Sequence, residues 1–120
     1  MIEALEGFPK NVLAFVCHDH VTRQDYEAVL IPAVTNALQE NEKVRLYYET
    51  AVDFEGIDAG AVWEDAKVGF SHLQRWERFA VVTDVEWIRH TMQLFRFLVP
   101  GEMKVFPTDD AAKAKEWIVA

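Results

Sequence analysis

A single cysteine, Cys17, stands in a chain of 120 residues. No internal disulfide can form, which fits a reducing compartment. Basic residues are also scarce: twelve Lys and Arg face twenty Asp and Glu, leaving a net charge of −8. Nucleic-acid binders usually carry a basic surplus, so that class of partner is disfavoured. No apolar run approaches the roughly 18 residues that a membrane span needs. The opening Met1-Ile2-Glu3-Ala4-Leu5-Glu6 lacks the basic and apolar regions of a signal peptide. The chain therefore reads as cytoplasmic. Glycine and proline number only five and four, and most sit at element boundaries. No repeat, low-complexity tract or linker divides the chain, so one domain over residues 1–120 is expected.

Hydrophobic residues make up 51% of the chain, enough for a core without disulfide or metal staples. The acidity is uneven. Residues 1–65 hold thirteen acids against four bases, a balance of −9. Residues 66–99 hold three acids and five bases (+2), and residues 100–120 four acids and three bases (−1). The second half is the less acidic surface.

Ile2–Glu6 alternates weakly, as a short edge strand would, and Gly7-Phe8-Pro9-Lys10-Asn11 reads as a turn. Val12-Leu13-Ala14-Phe15-Val16-Cys17 is continuously apolar, the pattern of a strand covered on both faces. Thr22 caps a helix start, with Asp25 in its first turn. Tyr26, Val29, Leu30, Ala33, Val34, Ala37 and Leu38 then form a helical stripe. Pro32 falls off that stripe and predicts a bend on the solvent side. Val44–Glu49 reads as a second buried strand, followed by an acidic loop and a helix from about Ala59 to Leu73. Phe79–Val82 is a third core strand. A helix from about Val85 to Leu98 is stopped by Pro100-Gly101. Met103–Phe106 is a last strand, and Asp109 and Asp110 suit the first turn of a final helix through Trp117 and Ile118. The order is β-β-α-β-α-β-α-β-α. Alternation of this kind implies an α/β fold, a mostly parallel five-stranded sheet with helices packed on it. The first strand is expected to pair antiparallel through its tight turn.

Several strings match a known family. They are Asp25-Tyr26 with Val29-Leu30-Ile31-Pro32-Ala33, Val44-Arg45-Leu46, and Asp53-Phe54-Glu55-Gly56 continued by Ala61-Val62-Trp63-Glu64-Asp65-Ala66-Lys67. Glu77-Arg78-Phe79-Ala80-Val81-Val82-Thr83-Asp84, Trp87 and Glu102-Met103-Lys104-Val105-Phe106 complete the set. On these residues the chain resembles the SpoIIAA-like proteins, which are related in fold to STAS domains and more loosely to Sec14/CRAL-TRIO lipid-binding domains. The resemblance implies a binding or regulatory module, with an apolar ligand or a membrane surface suggested by the lipid-binding relatives. It also implies a phosphorylatable serine in the loop after a core strand. Here that loop, residues 49–58, contains no serine, and Thr50 is its one hydroxyl. A phosphate on Thr50 would add like charge beside Asp53, Glu55 and Asp58.

Four groups of residues carry chemistry worth locating. His18-Asp19-His20 is the most metal-like string, because His18 and His20 project to one side of an extended segment; no second cluster supplies further ligands at an obvious spacing. Asp53, Glu55, Asp58, Glu64 and Asp65 form the densest acidic cluster, which could supply an acid and a base or solvate a loop and a helix start. Together with His18 and His20 it would make a metal-dependent or carboxylate-based enzyme. Cys17 ends an apolar run and reads as a packed thiol. The helix after Val85 is apolar nearly all round, with Trp87, Met92, Leu94, Phe95, Phe97 and Leu98 beside Arg89, His90 and Arg96. Trp63 and Phe70 on the preceding helix extend the same apolar set. A helix on a sheet needs one apolar face. The surplus fits a ligand cavity, a membrane contact or a protein partner, including a homodimer. No catalytic motif stands out and no cofactor is implied. The favoured reading is a non-enzymatic binding or regulatory module that uses this helix and its predecessor.

Overall fold

The computed structural model describes residues 1–61, 73–97, 99 and 101–120. Its main sheet holds five strands in the order β1-β2-β4-β6-β7. They are β1 (Ile2–Ala4), β2 (Val12–Cys17), β4 (Val44–Thr50), β6 (Trp76–Val82) and β7 (Glu102–Phe106). β1 pairs antiparallel with β2, placing Ile2 opposite Cys17. The other pairings are parallel, with Phe15 opposite Tyr48, Tyr47 opposite Ala80, and Val82 opposite Phe106. β2 is buried along its whole length, as its unbroken apolar run requires of a strand covered on both faces.

Two short strands, β3 (His20–Val21) and β5 (Gly56–Ile57), pair in parallel outside this sheet. The sequence reads both as loop, because two-residue strands carry no periodicity. They are built around Asp19, whose φ of 51° is left-handed, a conformation that a short polar side chain tolerates. Asp19 donates its N–H to the Asp53 carbonyl at 3.1 Å and accepts the Glu55 N–H at 2.7 Å. The acidic loop is thereby strapped to the end of β2.

The first helical segment begins with a reciprocal cap. The Asp25 N–H donates to Thr22 Oγ1 at 3.1 Å, and the Thr22 N–H donates to the Asp25 carboxylate at 2.9 Å. α1 (Arg23–Asp25) runs into a π-helical turn, Tyr26–Leu30, and then α2 (Ile31–Glu40). The expected bend at exposed Pro32 is thus met by a change of helix type. Pro32 has no N–H for the Ala28 carbonyl, and its ring crowds that carbonyl. The widened turn, in which the Ile31 N–H reaches the Tyr26 carbonyl, relieves both.

The core has two layers. On one face α2 and the π turn pack Tyr26, Leu30, Val34 and Leu38 against Leu13, Phe15, Tyr48 and Trp76. On the other, α4 (Ala111–Val119) packs Ala114 and Ile118 against Val12, Ala14, Tyr47, Ala80 and Val82. Arg45 and Arg78, on neighbouring strands, donate to the Ile118 and Trp117 carbonyls at 2.9 and 2.7 Å. They satisfy the free carbonyls at the end of α4. α3 (Glu86–Phe95) connects β6 to β7. From β2 to β7 the parallel strands advance across the sheet in one direction, so no crevice opens at a reversal of strand order.

Candidate functional site

α3 is launched from Thr83, at the carboxyl end of β6. Thr83 Oγ1 accepts the Val85 N–H at 3.1 Å, and the Thr83 carbonyl accepts Arg89 Nη1 at 2.9 Å. Thr83 is fully buried, and its hydroxyl lies 2.6 Å from that of Thr50. Together these contacts fix where the helix starts and how it is rotated.

That rotation turns Ile88, 4% exposed, toward the protein and half-buries Met92. Trp87 and Leu94 are seven positions apart and so share a face, which the protein leaves open. Trp87 is 50% exposed, Leu94 74%, Phe95 40% and Phe97 83%. The helix thus has one apolar face against the fold and a second toward solvent. His90 is exposed on the same helix, and the Arg96 guanidinium lies 5.6 Å from the centre of the Phe97 ring. The acid within α3 is Glu86, in the first turn, where the helix dipole favours it.

Beside α3 runs an open groove of about 220 Å³ lined by Gln93, Arg96 and Met103–Phe106. Trp87, Leu94, Phe95 and Phe97 do not line it. All four are exposed to solvent among the described residues. Trp63, Phe70 and Leu98, grouped with these residues on sequence grounds, lie outside the described residues, as do Glu64 and Asp65.

The second candidate lies at the carboxyl ends of β2 and β4. His18 Nδ1 stands 3.0 Å from Asp53 Oδ1, and Nε2 stands 3.2 Å from Glu3 Oε1. An ionised carboxylate only accepts, so each ring nitrogen must donate to satisfy both partners, which describes the imidazolium. The Asp53 hydrogen bond, reinforced by Glu3, raises the His18 pKa above 6.5 against the opposing effect of burial. His20 bonds Asp58 through Nε2. The two histidines that the sequence pairs as metal ligands are thus occupied by different carboxylates. Among the described residues no three His, Cys, Asp or Glu side chains converge as a metal site. Asp25, at the helix cap beside this edge, has its carboxyl held below the usual range, first by the Thr22 N–H.

Thr50 and Cys17 complete the inventory. The Thr50 side chain is buried against Thr83, so a kinase would have to open the sheet end to reach its hydroxyl. Cys17 is fully buried and packs in the main cluster with Phe15, Val21 and Tyr48. Tyr47, the central aromatic of the other face, has its phenol pKa raised, by burial first and then by its hydrogen bond to Glu49. Sequence reasoning quotes Thr83 only within a family string and gives it no role. No local pattern marks a threonine that holds the residue before the next helix by its hydroxyl and an arginine of that helix by its carbonyl.

The fold defines a mixed α/β domain, mostly parallel in its sheet. The SpoIIAA-like family model matches residues 12–119, and the chain belongs to the SpoIIAA-like family. A solved structure from Shewanella loihica PV-4, an uncharacterized protein of the DUF3478 family with a SpoIIAA-like fold, is similar across 98% of this chain and 93% of its own. Its TM-score is 0.70 and its sequence identity 24%, a likeness of fold. No curated protein matches the chain. Among the described residues, no helix is long and apolar enough to cross a membrane.

Proposed function

We propose that this protein is a non-enzymatic binding module that docks on a lipid surface through the outward face of α3. The carrying observation is that α3 already has a buried face, centred on Ile88, yet still presents Trp87 and Leu94 at 50% and 74% exposure, with Phe97 just beyond its end at 83%. Full transfer of one large apolar side chain from water contributes about 1.5–3 kcal/mol. Scaled by their exposures, these three side chains supply roughly 5 kcal/mol, before the entropy lost on association. Trp87 is amphipathic and suits the headgroup boundary. Arg96, beside the Phe97 ring, supplies a counter-charge for anionic headgroups.

The net charge of −8 opposes approach to an anionic membrane. Two features limit that opposition. The acids concentrate before residue 66, and repulsion fades beyond about 10 Å at moderate salt. The apolar contribution therefore carries binding and the local cations orient it.

Flotation with vesicles of phosphatidylcholine, alone and with phosphatidylserine, tests the reading. Binding is expected to both, stronger to the mixture, and to be lost in Leu94→Glu and in Phe97→Glu. No flotation of the wild-type protein with either vesicle refutes it.

A further inference from the structure

β7 is an edge strand of the main sheet, and its outward side is ordered for pairing. The Thr83 N–H reaches the Phe106 carbonyl at 2.9 Å, so Phe106 directs its backbone groups toward β6. Backbone groups alternate along a strand. Lys104 and Glu102 therefore also face β6, and Met103 and Val105 direct their N–H and C=O groups away from the sheet. Edges of this kind pair with further strands unless something prevents it. A lysine on an edge is one such deterrent, and Lys104 is exposed here.

A second copy of this same strand removes the deterrent. In an antiparallel pair centred on Met103, the two Met103 residues exchange both backbone hydrogen bonds. Val105, whose groups also point outward, then stands opposite Gly101, the residue before β7. Glu102 stands opposite Lys104, twice by symmetry, in the non-hydrogen-bonded positions where side chains approach most closely. Both Glu102 and Lys104 are exposed. The neighbouring registers are worse. Centring on Lys104 opposes two lysines, and centring on Val105 brings Pro107, which has no N–H, against an outward-pointing Met103. Side chains alternate too: Lys104 and Phe106 lie by Trp117 of α4, leaving Met103 and Val105 on the other face. There the groove lined by Gln93 and Arg96 adjoins the new strand pair.

We infer that β7 is a self-recognition edge: two copies join their sheets antiparallel about Met103, with reciprocal Glu102–Lys104 pairs setting the register. The contact is isologous, so it closes at a dimer. It uses a strand edge distinct from the outward face of α3, and each copy brings its own α3.

Sedimentation velocity across a concentration series tests this. The wild-type protein is expected to reach a dimer. Lys104→Glu and Glu102→Lys each place like charges opposite one another and are expected to weaken dimerisation by at least about tenfold. The swap of both charges in one chain restores complementarity and is expected to return dimerisation to within about threefold of wild type. Glu102→Lys leaves the Lys104–Trp117 contact untouched, so its result stands even if Lys104→Glu perturbs folding. A monomer at every concentration up to about 300 µM, where even weak pairing would register, overturns the inference. So does a dimer that ignores both reversals, which would mean that another surface joins the copies, or a swap that fails to restore pairing.

Discussion

Thr83 ties β4 to α3 with three interactions: its hydroxyl meets Thr50 on β4, the same oxygen accepts the Val85 N–H, and its carbonyl holds Arg89 of α3. Thr83→Val keeps the shape but leaves a buried hydroxyl and an N–H without partners. A loss of about 1–3 kcal/mol is expected, read by urea denaturation. A cost under a few tenths of a kcal/mol would mean that the hydroxyl is dispensable. His18 gives a second residue-scale prediction, with a definite sign. Its folded pKa is raised, so its contribution to stability is complete below the unfolded value of about 6.5. That contribution is lost as pH rises from 6.5 through the folded pKa. Asp25 and Asp84 behave oppositely. Their lowered carboxyl pKa values give stability present above about 3.8 that is lost as pH falls through the folded values. Nuclear magnetic resonance titration of His18 should find its pKa above 6.5, and Asp53→Asn should bring it back toward that value. An unchanged pKa in Asp53→Asn would assign the shift elsewhere.

At the scale of elements, much of the fold was legible because its strands are long apolar runs and its helices carry regular stripes. β2, β4, β6, β7 and the capping pair Thr22 and Asp25 all stand where the pattern puts them. What was not legible depends on contacts distant in sequence. The π turn follows from a carbonyl crowded by Pro32 while Tyr26 and Leu30 stay on the sheet, a conflict invisible to a 3.6-residue stripe. β3 and β5 exist because Asp19 adopts a left-handed backbone. The end of α2 is another case. Arg75 donates to the carbonyls of Leu38, Asn41 and Glu42, closing a helix whose last turn has no basic residue of its own. Arg75→Ala is expected to cost about 1–3 kcal/mol, with amide exchange accelerated first in residues 37–42. Uniform acceleration across the chain would show that the arginine does not act locally. Gly101 is equally specific: a Cβ there would sit 2.5 Å from the Glu77 carbonyl oxygen, where β7 enters beside β6. Gly101→Ala should destabilise by about 1–3 kcal/mol through overpacking, and a neutral result would mean that the strand entry shifts freely.

For the molecule as a whole, the sequence singled out the apolar helix after Val85, and the structure gives the exposure of its described residues. The surplus of apolar residues between Trp87 and Val99 was plain. Which of its described residues face water depends on the rotation of α3, which Thr83 sets from outside the helix and Arg89 from within it. The metal-like string met the reverse outcome: His18 and His20 lie close in sequence, yet Asp53 and Asp58 draw them into separate pairs. Charge completes the picture, with acidity gathered in residues 1–65 and the apolar helix placed in the one segment of positive balance. A spin label on α3 tests the central claim most directly. Cys17 is the single cysteine and is fully buried, so Leu94→Cys offers one reactive thiol. On addition of phosphatidylcholine–phosphatidylserine vesicles, the label at position 94 should lose access to a water-soluble relaxation agent and gain access to oxygen. A label that stays equally accessible to the aqueous agent with and without vesicles would contradict docking through this face.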